Sequence, residues 1–325
     1  MNWLGAGVDG PLVVVRGVHF AATAVMTGTL IFREAVVEAA SCSARPAAII
    51  VRTQTLRVAW IFLAIAAASG MIWLLLVAAS MSGLSFAESM TSDVLSTVVN
   101  ETQFGRVSEI RLVLAVIMAS GLAYDRFPLA RGLALAMSLG LTAALAWTGH
   151  AGSTAGAMGI LHLTADTLHL LAAAIWIGGL VSLVLLLSVS RNDQTDASVS
   201  FGRDATQRFS TMGVAIVVVV LATGIVNGWI LVGSWHALIA TFYGQLLILK
   251  IALFAVMLLI AAANRFWLMP RLALRLGSEP QLEVVRRLAC NSMIEVALAS
   301  MIFVIVGMLG TLHPAIHGLY TLRVH

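Results

Sequence analysis

Residues 162–180 read HLTADTLHLLAAAIWIGGL, a stretch whose second half is apolar enough to cross a membrane and whose first half is not. Three polar side chains, His162, Asp166 and His169, interrupt that first half. Steps of four and three residues put them on one stripe of a helix, and Trp176 continues the same stripe. Because polar groups at membrane depth are costly and usually face a partner, the stretch predicts a buried helix that carries a functional site.

The whole chain has the composition of an integral membrane protein. Of its 325 residues, 60% are hydrophobic and 10% are charged, whereas soluble domains carry roughly 25% charged residues. We therefore predict an all-α membrane protein with eight transmembrane helices, of which the third is the weakest. The apolar runs cover residues 11–32, 57–80, 107–124, 131–149, 163–189, 210–233, 244–268 and 290–312.

The distribution of positive charge predicts how these helices are oriented. Arginines fill the first, third, fifth and seventh loops, and the alternate loops hold almost none. By the positive-inside rule, the odd loops are cytoplasmic and both termini lie outside. The net charge of +4 thus reflects topology and does not indicate nucleic-acid binding. The first apolar run has the length of a full span and follows no basic segment, so we expect no cleavable signal peptide.

All eight histidines fall on the outer side of this topology. His19 and His169 lie within the outer halves of helices one and five. The bias of arginine toward the cytoplasmic side can account for histidines in the outer loops, but it does not account for these two. Imidazole is the commonest metal ligand and also binds the iron of b-type haem, so both kinds of site are open. The other six lie in outer loops or the C-terminal tail: His150, His162, His236, His313, His317 and His325.

The surroundings of the two intramembrane histidines resemble each other. RGVHFAATAVMTGTL around His19 aligns with DTLHLLAAAIWIGGL around His169, and Gly28 then meets Gly178. Two looser matches link helices two and six, through Ser-Gly and Thr-Gly pairs that each precede a tryptophan. Such matches indicate an internal repeat.

A second motif supports the repeat. TQFGRVSEIR and TFYGQLLILK share the pattern T-x-[FY]-G-x5-[RK], which ends in Arg111 and in Lys250. We predict two parallel four-helix repeats, residues 1–149 and 150–325, related by an axis along the membrane normal. The intramembrane histidines then lie at one depth on opposite sides of that axis.

A family resemblance covers nearly the whole chain and is densest in residues 150–272. It rests on the segments GHAG, ADTLHLLAAAIWIGGL, TFYGQLLILK and NRFWLMPRL. These are similar to motifs of the copper resistance protein D (CopD/PcoD) family of bacterial inner-membrane proteins. The resemblance implies copper uptake from the periplasm to the cytoplasm, a role in copper homeostasis and resistance, and a multi-pass location with both termini periplasmic. It also implies a separate periplasmic copper-binding CopC-like protein as a partner.

With copper as the cargo, in either oxidation state, the histidines become candidate ligands. We expect an outward-facing site centred on His19 and His169, with His150 and His313 as entry ligands. His162 adds a further imidazole. Met158 is a candidate because Cu(I) also accepts thioether ligands. The expected route then follows the interface between the two repeats.

Charged residues near this site are expected to support the ligands. Asp166 is expected to orient His162 or His169 without binding the metal itself. Arg111 and Lys250 repel a metal ion unless carboxylates neutralise them. Glu109 and Asp166 are the expected partners, although two residues apart on one helix is the wrong geometry for Glu109 with Arg111.

At the cytoplasmic side, Glu295 and Cys290 are candidates for an exit path or, for the carboxylate, for proton coupling. Both cysteines, Cys42 and Cys290, fall on this side, which predicts reduced thiols and no disulfide.

Two other functions stay open from the sequence. Two histidines at one depth, with Arg111 and Lys250 above them, also suit a b-type haem in an electron-transfer protein, with His19 and His169 as axial ligands and the cations on the propionates. The third possibility is a scaffold that binds a partner. The chain contains no HExxH, Walker A or CxxC motif, so we expect no enzymatic activity.

Overall fold

The computed structural model describes residues 9–40, 45–83, 86, 88–192, 196–273 and 279–316. All regular elements in those ranges are helical. The eight long helices are α1 Gly10–Phe32, α2 Arg45–Ser82, α3 Gln103–Ala123, α4 Pro128–Ala143, α5 Gly156–Asn192, α6 Asp196–Val232, α7 Phe242–Ala263 and α8 Glu279–Leu309. π-helical turns at Arg33–Val37 and Asn264–Leu268 prolong α1 and α7, and short helices Ser92–Glu101 and Trp235–Ala240 precede α3 and α7.

Seven of these helices are long and apolar enough to cross a membrane: Gly10–Ala40, Pro46–Ser82, Pro128–Thr148, Gly156–Ser190, Ser200–Val232, Phe242–Arg271 and Glu283–Leu309. The helix that fails the same test is α3. Its first half carries three charged residues, Arg106, Glu109 and Arg111. It corresponds to the third apolar run, which the sequence predicted to be the weakest transmembrane helix.

The repeated T-x-[FY]-G motif begins α3 and α7 in the same way. Thr102 and Thr241 each donate a hydroxyl hydrogen bond of 2.6 Å to the carbonyl four residues earlier. Each hydroxyl also accepts the amide of the following glycine, Gly105 at 2.9 Å and Gly244 at 3.0 Å. A side chain at either glycine would overlap the backbone of the preceding short helix. The motif is therefore a helix cap that folds a short helix back on a long one.

The centre of the bundle is the contact between α1 and α5. α1 is the most buried of the seven candidate spans, whereas α7 is largely exposed. The two central helices cross at Gly28 and Gly178. A Cβ added at Gly28 would lie 2.8 Å from the Cα of Gly178, and one added at Gly178 would lie 2.6 Å from the Cα of Gly28. This contact between backbones leaves no space for a passage where α1 and α5 cross.

The two ends of the bundle differ in chemistry. At the end where α1, α3, α5 and α7 begin lie His150 and His162, and we call it the histidine end. At the opposite end, the arginine end, Arg33 binds Asp125 at 2.6 Å. Further pairs, Arg52 with Asp125 at 3.3 Å and Arg131 with Glu38 at 3.4 Å, join α1, α2, α4 and the turn after α3.

Candidate functional site

His19 is buried on α1, and both of its ring nitrogens are engaged. Nδ1 lies 3.0 Å from the hydroxyl of Ser69 on α2, and Nε2 lies 2.6 Å from Arg111 Nη2 on α3. The Ser69 hydroxyl donates its single proton to the Ile65 carbonyl at 2.6 Å, so it accepts from Nδ1–H. The lone pair on Nε2 is therefore the acceptor for Arg111.

Two buried arginines surround this ring. The guanidinium of Arg16 lies 4.8 Å from the ring centroid of Trp73, which itself packs edge-on against His19. Arg111 also donates to the carbonyl of Leu141. Within the described residues, neither arginine forms a salt bridge. We call His19, Ser69, Arg111, Arg16 and Trp73 the first cluster. It is positively charged, and Arg16 forms a cation–π contact with Trp73.

His169, on α5, has the same support on one side of its ring. Its Nδ1 lies 3.0 Å from the hydroxyl of Thr223 on α6, and that hydroxyl donates to the carbonyl one turn earlier at 2.6 Å. Nδ1 thus carries the proton and Nε2 the lone pair. On the other side, Asp166 accepts a hydrogen bond of 3.2 Å from Asn227, and Lys250 on α7 acts electrostatically on both Asp166 and His169. We call this group the second cluster.

The two clusters share a framework and differ in charge. Each has a histidine, a hydroxyl that holds Nδ1, a glycine close to the ring and a cation on the third helix of its half. When the halves are aligned on these features, Asp166 takes the place of Arg16, and Asn227 takes that of Trp73. A buried arginine and an indole are replaced by a carboxylate and an amide. Of the two clusters, the second alone contains a carboxylate, which offsets the charge of its cation.

The histidine pair does not face a common space. His19 contacts α2 and α3, whereas His169 contacts α6 and lies near Lys250 of α7. An arrangement with these two rings as axial ligands of one haem therefore has no support in the structure.

A third group lies beyond the second cluster, toward the histidine end. Thr154 donates to the carbonyl of His150 at 3.1 Å, and its hydroxyl lies 2.8 Å from Nδ1 of the buried His162. The two histidines interact electrostatically. Nε2 of His150 donates to the carbonyl of Leu309 at 3.2 Å, and the ring packs edge-on against Tyr243. We call His150, Thr154 and His162 the entrance group.

Other predicted site residues stand apart from these groups. Met158, His313 and Cys290 are exposed. The described residues contain no set of three or more His, Cys, Asp and Glu side chains that converge as a ready metal site. Cys42, His317 and His325 lie outside the described residues.

The predicted partner of Arg111 is wrong. Arg111 binds His19 and a backbone carbonyl, while the side chain of Glu109 is exposed. Residues two positions apart point to different sides of a helix, which explains the separation. Lys250 does lie near its expected partner, Asp166.

A polar group also lies at the arginine end of the second half. Glu295 on α8 is buried and accepts a hydrogen bond of 3.1 Å from Asn264, which in turn accepts one of 2.6 Å from Asn291. Trp176, on the same stripe of α5 as His169, lies close to Glu295. Both Trp176 and Glu295 line a cavity of about 280 Å³ enclosed by α5, α6, α7 and α8. Cys290 is not among its described lining residues.

Comparison with known proteins identifies the family. Residues 203–309 match the family model described as "Copper resistance protein D". Residues 8–160 match the model described as "Copper resistance protein D-like, N-terminal domain". The Copper resistance protein D of Pseudomonas syringae pv. tomato is 31% identical over 256 residues, which cover 76% of this chain and 82% of that protein. This chain belongs to the copper resistance protein D family.

Two further relatives show the breadth of the copper resistance protein D family. The Inner membrane protein YebZ of Escherichia coli (strain K12) is 29% identical over 214 residues, 66% of this chain and 70% of that protein. The Copper transport protein CutJ of Bacillus subtilis (strain 168) is 40% identical over 126 residues, 38% of this chain but only 22% of that protein. No solved structure matches the chain.

Several residues of this copper resistance protein D family member had no role in the sequence prediction. Arg16 and Trp73 of the first cluster, Asn227 of the second and Tyr243 beside the entrance group were assigned none. Their contacts join residues on different helices or loops, so periodicity along one helix does not reveal them. The alignment of the two halves does contain the signal, because Arg16 and Asp166 occupy the same position relative to their histidines.

Proposed function

We propose that this chain is a carrier, and not an enzyme, that moves copper across the bacterial inner membrane from the periplasm to the cytoplasm and so contributes to copper homeostasis and resistance. The family supports copper as the cargo, as does the similarity to a copper transport protein, and the similarity to an inner membrane protein supports the location. With no nucleotide-binding motif, the movement follows a concentration gradient, an ion gradient or the membrane potential.

The orientation follows from charge. The positive-inside rule puts the arginine end in the cytoplasm and the histidine end, with both termini, in the periplasm. α3 is the eighth span in this topology, because it runs from the histidine end to the arginine end and its 21 residues reach about 30 Å. Its outer charges lie near the water interface, apart from Arg111.

We also infer that the chain consists of two parallel four-helix repeats, residues 1–149 and 150–325. Matched pairs support this: the caps at Thr102 and Thr241, the crossing glycines Gly28 and Gly178, and the hydroxyl-held rings of His19 and His169. Because each pair keeps its local contacts, the likeness extends from sequence to geometry.

The route for copper runs through the second repeat. The observation that carries this proposal is the difference between the two clusters: the same framework holds Asp166 in one half and Arg16 in the other. Copper is captured at the entrance group by His150 and His162, and passes along the α5 stripe to Asp166 and His169. The first repeat keeps the same fold with its site closed by arginine.

The ligand chemistry fits this cargo. Imidazole binds copper in both oxidation states. The hydroxyls of Thr154 and Thr223 fix the rings of His162 and His169 with Nδ1 protonated, which leaves Nε2 to bind metal. Exposed Met158 and His313 at the same end suit the transfer of copper from a separate periplasmic protein of the CopC type.

Uptake of radioactive copper into proteoliposomes tests the proposal. We expect His162→Ala and His169→Ala to abolish the uptake that the wild-type protein shows. His236→Ala is the matched control, because His236 is an exposed histidine at the same end and should be dispensable. Uptake by the wild type no faster than by empty vesicles, in both membrane orientations, would contradict copper transport.

A further inference from the structure

The carboxylate of Glu295 lacks a counter-charge. Its side chain is 1% exposed, and Oε1 accepts the amide of Asn264. Oε2 is buried with no hydrogen-bond partner. An ionised carboxylate in this environment costs several kcal/mol unless a cation or a set of donors balances it.

The charged groups around Glu295 do not supply that balance. Four helices, α5 to α8, enclose it, and the charged side chain that shares the cavity wall is Arg265. Arg265 donates to the carbonyl and the hydroxyl of Ser210, at 2.7 and 2.9 Å, and not to Glu295. The remaining polar groups in contact, from Trp176 and Asn264, are neutral.

The available ligands define which cation fits. The wall offers oxygen and amide groups, the thioether of Met269 and neither imidazole nor thiolate, so it lacks the several soft ligands that would hold Cu(I). Among the described residues of the wall, Oε2 of Glu295 is the single buried oxygen without a partner. One oxygen is too few for a metal cation, which needs several ligands, but it is what a proton needs.

Local structure keeps the carboxyl group in place and within reach of water. Asn264 begins the π-helical turn Asn264–Leu268, and such turns inside helices are frequent at functional sites. Asn291 holds the amide of Asn264 from the other side at 2.6 Å. The adjoining cavity of about 280 Å³ is mostly apolar, and Ser210, Ser292 and Asn264 give its wall polar groups that can bind a water molecule beside Glu295.

Glu295 is also linked to the copper route. Trp176 lines the same cavity as Glu295 and lies seven residues beyond His169 on α5, a rise of about 10 Å. We propose that Glu295 is a proton-binding site at the cytoplasmic end of the second repeat, from which a cation that passes Trp176 displaces the proton. In that step the O–H bond of the carboxyl group breaks, its electron pair stays on the carboxylate, and the proton goes to water in the cavity. The proton site stands on the contacts of Glu295, whereas its coupling to copper rests on the proposed function.

Infrared difference spectroscopy of the full chain in nanodiscs tests the proton site without copper. During a pH titration we expect the C=O band of a protonated, buried carboxyl group in the wild type, and its loss in Glu295→Gln. Glu283→Gln is the control, because Glu283 lies on the same helix but is exposed and pairs with Arg287. Asn264→Leu keeps the carboxyl group and removes its donor, so the band should shift and not disappear. A wild type without such a band, or a band unchanged in Glu295→Gln, overturns the proposal.

Copper uptake into proteoliposomes tests the coupling. We expect wild-type uptake to depend on the pH of the cytoplasmic side, and Glu295→Gln to lose that dependence while Glu283→Gln keeps it. An unchanged dependence in Glu295→Gln overturns the coupling. If the infrared band behaves as expected and no variant moves copper, the proposed function fails and the proton site remains.

Discussion

Arg111 Nη2 lies 2.6 Å from His19 Nε2, where a metal ion would have to bind in the first cluster. In the second cluster the cation on the equivalent helix is Lys250, whose ammonium lacks the fork of a guanidinium and is accompanied by Asp166. The same framework thus holds a guanidinium against the histidine in one half of the molecule, and we expect only the other half to bind a cation.

The two histidines should therefore respond differently to substitution. His169→Ala is expected to weaken copper binding at least tenfold, about 1.4 kcal/mol, because it removes a ligand. His19→Ala should leave copper affinity unchanged and lower the melting temperature, because Arg111 loses a buried partner. Isothermal titration and thermal unfolding measure the two effects. Equal losses of affinity in both variants would indicate that the histidines form one shared site.

The hydroxyls behind the rings provide a second matched pair. Thr223→Val keeps the shape of the side chain but frees Nδ1 of His169, so copper affinity should fall by about 10–100-fold, as for other groups that orient a ligand. Ser69→Ala makes the same change behind His19 and should not alter copper affinity. Competition titrations with a copper chelator resolve differences of this size. A loss of affinity in Ser69→Ala would show that the first cluster takes part in binding.

Lys250 should compete with copper for Asp166. Lys250→Met removes the ammonium, so copper should bind about tenfold more tightly, about 1.4 kcal/mol, and leave more slowly. The equilibrium affinity and the rate of release to a chelator are the measurements. Arg106→Met is the control, because Arg106 is an exposed cation at the same end of the bundle. Weaker binding in Lys250→Met would mean that the lysine supports the site and does not compete for it.

The sequence revealed what depends on local pattern. Composition and charge predicted an all-helical membrane protein, and the spacing of His162, Asp166, His169 and Trp176 predicted the polar stripe of α5. The sequence did not predict which side chains contact each other across helices. The sequence offered Glu109 as a partner for Arg111 at an unfavourable spacing. The guanidinium instead reaches across to another helix, where His19, 92 residues away, supplies an acceptor. Arg16 and Asp166 occupy the same position in the two aligned halves, but the sequence does not show that Arg111 contacts the ring of His19.

The ion network at the arginine end should contribute to stability. Asp125→Ala leaves Arg33, whose side chain is 2% exposed, without its closest partner, and should lower the free energy of unfolding by about 3 kcal/mol. Glu283→Ala removes a carboxylate from a pair with both side chains 61% exposed, so it should cost at most about 1 kcal/mol. Denaturation in mixed micelles compares the two. Similar costs would show that the network is as accessible to water as the exposed pair.

The crossing of α1 and α5 should tolerate no side chain. Gly28→Ala puts a methyl group 2.8 Å from the Cα of Gly178 and closer still to the Ala174 carbonyl, so it forces the helices apart. We expect a loss of about 1–3 kcal/mol in the free energy of unfolding. Gly132→Ala in α4 is the control: nothing lies within 4 Å of the added atom, and reduced freedom of the unfolded chain should stabilise the protein by about 0.4–1 kcal/mol. If Gly28→Ala were as stable as Gly132→Ala, the two halves would not be held together by this backbone contact, and the symmetry of the two glycines would have no structural role.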